Sequence, residues 1–103
     1  MAFGIKREEL NNWKKAAKNE EIAFITHFWY DPRFPGCTTV TKVACANMAK
    51  LIRWGERYGL KKEWIHKRND FPHFDLLGER QKEILKMENK FEQLQRLEEK
   101  KKG

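Results

Sequence analysis

Apolar positions along the chain fall first at a helical spacing and then at a strand spacing. Leu10, Trp13 and Ala17 recur at intervals of three and four, with charged residues between them, which predicts a helix over about 6–20. Residues 22–30, IAFITHFWY, are β-branched and aromatic and almost free of charge. Both alternating faces are apolar, so the segment reads as a strand covered on two sides and placed centrally in a sheet. His27 shares its face with Ile25 and Trp29. Residues 31–36, DPRFPG, form a turn, since Pro32 and Pro35 fix φ and Gly36 permits a reversal. A second strand follows over about 38–44. Its threonines suggest an edge or a half-exposed face, and the two strands can pair as a hairpin.

Met48, Leu51, Ile52, Gly55 and Tyr58 give a second amphipathic helix over about 46–58, stopped by Gly59-Leu60 with glycine in the left-handed position. Trp64-Ile65-His66 reads as a short strand and residues 67–75 as a loop, with Asp75 as a cap for the last helix. That helix is expected from about 76 towards 98. Leu77, Ile84, Met87, Phe91 and Leu94 form a heptad-like seam along it, and a frayed lysine tail follows. The expected fold is therefore α+β or α/β: a sheet of two to four short strands packed with three helices, the C-terminal one long. Its expected core includes Trp13, Phe24, Ile25, Phe28, Leu51, Ile52, Trp64, Leu77 and Ile84. With 103 residues the chain fits one domain: a helix over 1–20, a core with basic and histidine-bearing loops over 21–75, and the long helix over 76–103.

Charge changes this picture. The net charge is +7, and residues 31–72 hold nine Lys and Arg against four Asp and Glu. A local excess of this kind attracts anions such as nucleotides, phosphorylated ligands, nucleic acid or acidic proteins. Cys37 and Cys45 are spaced along a strand too far apart to bridge. Free thiols, with no secretory signal and no apolar run of membrane-spanning length, point to the cytoplasm.

The string FITHFWYDPRFPG and the later LIRWGERYGLKKEWIHKRNDFPHFDLLGERQKEIL resemble the YneQ-like family of small bacterial and phage proteins, a family without an established function. Its pattern has an Asp-Pro turn after an apolar strand, matched by Asp31-Pro32. A helix ending in Gly-Leu corresponds to Gly59-Leu60, and a late His-aromatic-Asp to His73-Phe74-Asp75. The resemblance covers about residues 20–86 and implies a compact α/β domain. It implies no activity.

Four constellations can carry chemistry. The first gathers His27, Asp31, Arg33, His66, Lys67, Arg68, His73 and Asp75. If the strands bearing His27 and His66 are parallel neighbours, these groups meet outside the strand ends. Arg33 and Arg68 then grip a phosphate or carboxylate, and an imidazole serves as acid or base. The plain alternative makes His27 a core histidine and Asp75 only a cap. The second is a metal held by His66, His73 and Asp75, which the basic surroundings oppose. The third is nucleic-acid binding by Arg53, Arg57, Lys61, Lys62, Lys67 and Arg68 interleaved with Trp54, Tyr58 and Trp64. The fourth is self-association, or partner binding, through the heptad seam. A phosphate-binding glycine loop, a Cys-x-x-Cys pair and a nucleophile elbow are all absent from the sequence. The expectation is a binding module for an anionic, nucleotide- or phosphate-containing ligand, with no cofactor and no membrane association. The alternative is a phage or mobile-element protein that blocks a host or defence protein.

Overall fold

The computed structural model describes residues 6–28, 39–67 and 71–95. Helix α1 (Arg7–Lys18) leads into strand β1 (Ala23–Phe28). Strand β2 (Thr39–Ala44), helix α2 (Met48–Glu56) and a 3-10 turn (Lys62–Trp64) follow. Strand β3 (His73–Leu76) and helix α3 (Gly78–Met87) complete the fold. The sheet is antiparallel throughout, in the order β1-β2-β3. The α+β class read from the sequence is what the chain adopts.

Which strand is central is reversed from expectation. β2 lies in the middle, and β1 pairs only with β2 within the sheet. The threonines of β2 are buried rather than half-exposed, because they bond to one another and to a helix. Thr26 and Thr41 share a hydroxyl–hydroxyl bond of 2.6 Å. Gln81 of α3 donates from Nε2 to Thr41 Oγ1 at 2.9 Å, and Thr39 donates to Gln81 Oε1 at 3.4 Å. All four residues are buried. A hydroxyl in a core is tolerated when it is bonded, and here strand and helix supply the partners.

Register sorts the two faces. Phe24, Val43 and Phe74 lie across from one another, and so do Ala23, Ala44 and His73 one residue away. Successive side chains alternate, so these rows face opposite ways. The first face packs under α2 and α3 with Leu51, Trp54, Leu60, Ile65, Leu76 and Ile84. The second packs against Ala17 and Trp13 of α1 and against Phe71. Small residues let α1 lie close, and the indole of Trp13 donates to the carbonyl of Ala23 at 3.1 Å. Of the expected core, Ile25, Leu51 and Ile84 are buried, while Trp13, Phe24, Ile52 and Leu77 are half-buried. The Phe28 side chain lies outside the described residues. Trp64 is an exception, being 43 % exposed. Cys45 is buried and free; Cys37 lies outside the described residues.

Helix ends follow local chemistry. Asn47 caps α2 by accepting from the Lys50 amide, and Gly59 adopts the expected positive φ of 73° beyond its end. The last helix stops earlier than its apolar seam suggests. Asn89 takes φ 59°, its amide bonds to the Lys86 carbonyl, and the Lys90 amide reaches back to Leu85. That pairing closes a helix, and asparagine tolerates it better than most residues. The chain is helical again over 91–95. The seam Leu77, Ile84, Met87, Phe91 and Leu94 is therefore split, with Ile84 in the protein's own core and Met87 and Phe91 exposed.

Glu88 fastens this end to α2. The Trp54 indole donates to one carboxylate oxygen at 3.2 Å, and the Tyr58 hydroxyl donates to the other. Burial first, then the bond to Glu88 and its charge, push the Tyr58 phenol up from 10 to about 12. The folded state thus keeps this proton where the unfolded chain releases it. The stabilisation is present below about pH 10 and fades as pH rises towards 12. In a Tyr30→Phe variant, which leaves Tyr58 the only tyrosine, absorbance titration should show phenolate forming near pH 12. Adding Glu88→Gln should move the midpoint downwards. A second expectation concerns Gly55. A Cβ there would lie 2.6 Å from Phe74 Cζ and 2.8 Å from Cε2. Gly55→Ala should lower the denaturant midpoint by an amount worth about 1–3 kcal/mol, although alanine is the better helix former.

Candidate functional site

The alternation that directs Phe74 into the core directs His73 and Asp75 to the opposite face. The segment before β3 returns along its outer edge. The amides and carbonyls of His66 and His73 exchange two bonds, of 2.8 and 3.0 Å. This is a single antiparallel pairing, not a strand over 64–66. Residues 73–75, expected in a loop, form strand instead.

The pairing brings three of the expected site residues together. The imidazoles of His66 and His73 stack at 5.4 Å with an interplanar angle of 28°. His66 Nε2 lies 3.3 Å from one oxygen of Asp75, and His73 Nε2 lies 3.7 Å from the other. His73 is buried, and its Nδ1–H donates to the Phe71 carbonyl at 3.1 Å, since a carbonyl can only accept. His66 is open to solvent. Lys42 stands opposite Asp75 on β2. Asp75 does not cap α3: Leu77 occupies the capping position, and no side chain bonds there.

Both Nε2 atoms face the one carboxylate of Asp75. Among the described residues no group of three ligand-type side chains is arranged to hold a metal ion.

His27 sits on the same sheet face as His73 and Asp75, in the row of Val40. The condition for that grouping, parallel neighbouring strands bearing His27 and His66, is not met: β1 pairs antiparallel with β2, as the expected hairpin, and His66 lies in no strand. From strand spacing and rise, His27 stands roughly 12 Å from Asp75. It shares the face but not the cluster, and it is buried. Asp31, Arg33 and Arg68 lie outside the described residues.

A second set joins Lys61, Lys62, Lys67 and Trp64, which the sequence offers for nucleic-acid binding, to Arg80, which it does not single out. Trp64, expected in the core, projects from the 3-10 turn. Lys61 Nζ stands over its ring at 5.8 Å and Arg80 Cζ at 5.2 Å. Arg80 comes from α3, so two elements contribute. Lys62 and Lys67 are exposed on the same segment. The available signal was the run Lys-Lys-Glu-Trp, because a tryptophan in a charged turn has few apolar neighbours. Trp54 and Tyr58, by contrast, are committed to the core and to Glu88. Of the three rings, Trp64 is the exposed one.

The position of Asp75 has a direct test. Asp75→Ala should leave the helix content measured by circular dichroism unchanged and cost under about 1 kcal/mol, as for a partly exposed ion pair. A capping carboxylate would cost more and reduce helicity.

No family model matches the chain, and no solved structure matches it. A curated relative does. The uncharacterized protein YneQ of Bacillus subtilis (strain 168) is 67 % identical over 89 residues, which cover 86 % of this chain and 90 % of the relative. An identity of that size over nearly the whole of both chains bears out the resemblance in the sequence, and the chain belongs to the YneQ family.

Proposed function

We propose that the protein is a binding module for an anionic, phosphate-containing ligand held at the outer edge of β3. The observation that carries this reading is the placement of the segment 61–67. Pinned to β3 by the His66–His73 pairing, it exposes Lys61, Lys62 and Lys67, and Arg80 of α3 meets Lys61 at the ring of Trp64. Cations drawn from separate elements to one edge raise the local potential, and this favours phosphate over neutral ligands. Arg80 adds planar, bidentate recognition of phosphate oxygens. The carboxylate of Asp75 stands opposite Lys42 on β2, whose charge counters it locally.

A second reading has its own support. Met87 and Phe91 are the other large apolar side chains exposed among the described residues, at 68 % and 58 %. They suit a small interaction protein of phage or mobile-element type that docks on a partner protein. Among the described residues no helix is long and apolar enough to cross a membrane.

Calorimetric titration with tripolyphosphate separates the readings. Binding should weaken with rising salt, and the double variant Lys61→Ala/Arg80→Ala should weaken it at least tenfold with an unchanged melting temperature. Failure to bind tripolyphosphate at millimolar concentration would overturn the first reading. Recovery of one cellular protein, lost in Phe91→Glu, would then favour the second.

A further inference from the structure

We infer that Trp64 is a stacking platform for a nucleobase, so that the anion at the β3 edge is a nucleotide unit. This rests on the phosphate-binding reading and narrows it. Tryptophan carries a large apolar area, and the other described tryptophans use theirs inside the protein. Trp54 packs on Phe24 and Phe74, and Trp13 meets Phe71 edge-on while its indole donates to Ala23. Trp64 stands apart from both sets, 43 % exposed.

Its neighbours are charged. Lys61 precedes it within the turn, and Arg80 reaches it from the first turn of α3. Attraction between cation and ring holds both charges close to the indole. The surface so formed is an electron-rich plane, 43 % exposed, with both positive groups over the ring at more than 5 Å from its centre. A ligand that uses both parts carries a flat ring and a negative group a few ångströms away. A nucleotide has this build: the base stacks on the indole while the phosphate meets Lys61 and Arg80. Inorganic polyphosphate would use the cations and leave the ring idle. An acidic peptide would reach the cations without a plane to stack. The turn is joined to β3 two residues later through His66, so the platform stands on a fixed support. Free nucleotides and single-stranded nucleic acid share this chemistry.

The full chain is titrated calorimetrically at low salt with pyrophosphate, ADP and a single-stranded octadeoxynucleotide. ADP should bind at least about fivefold more tightly than pyrophosphate, the lower end of what base stacking contributes. Trp64→Ala should erase that preference and leave pyrophosphate binding unchanged, whereas Trp64→Phe should keep part of it. Arg80→Ala should weaken both ligands. Trp64 is exposed, so an unchanged melting temperature is expected and confirms that the variants are folded. An octanucleotide that binds more tightly than ADP, and loses this in Trp64→Ala, supports the platform and identifies a strand as its source. If ADP is the tighter, free nucleotide is the source. Equal binding of pyrophosphate and ADP, unaffected by Trp64→Ala, overturns the inference and leaves the phosphate-binding reading standing. No binding of any of the three overturns both.

Discussion

The seat of the Phe74 ring beneath the backbone of Gly55 is the contact on which the arrangement turns. Only a residue without a Cβ lets α2 come this close to the sheet. Once Phe74 is held there, β3 has one register. A slip of a single residue would exchange its faces, sending His73 and Asp75 into the core and Phe74 to the other side. The imidazole–carboxylate cluster on one face is thus a by-product of helix packing on the other. Trp54, next to Gly55, extends the same contact sideways, since its ring meets Phe24 and Phe74 and its indole N–H reaches Glu88.

The Thr26–Thr41–Gln81–Thr39 network complements that apolar contact. Apolar packing rewards burial with little regard to direction, whereas these bonds fit only one placement of α3 over the sheet. The threonines also explain why the central strand reads as an edge strand in the sequence. Hydroxyl-bearing residues at alternate positions usually mark a wet face. Partners from β1 and α3 make them compatible with the interior here. One strand therefore looked more exposed than it is. β1, rich in aromatic and aliphatic residues, looked more central than it is.

Features set by residues close in sequence were legible before the structure. The first two helices, the two long strands, the Gly59 stop and the chemical character of His66, His73 and Asp75 all follow from local pattern. Features that depend on a distant partner were not. Asp75 resembles a helix cap until His73 pairs with His66 and draws the residues after it into a strand. The seam of the last helix looks continuous until Asn89 adopts a left-handed conformation, which its side chain permits but does not announce. Trp64 looks like core because tryptophan usually is. Of its charged neighbours, Lys61 is three residues away in the same turn, while Arg80 is sixteen residues away on another helix.

The single pairing between His66 and His73 also bears on how the molecule behaves among its own copies. A short strand at the margin of a sheet offers unpaired amides and carbonyls to any passing chain. On β3 the backbone groups of His73 are already satisfied by His66, and the following residues are flanked by a 3-10 turn carrying Lys61 and Lys62. An incoming strand would have to displace the pairing and approach a cluster of like charges on an equally basic molecule. Sheet-to-sheet growth from this side is thereby discouraged by the lysines of the turn as well as by the pairing itself.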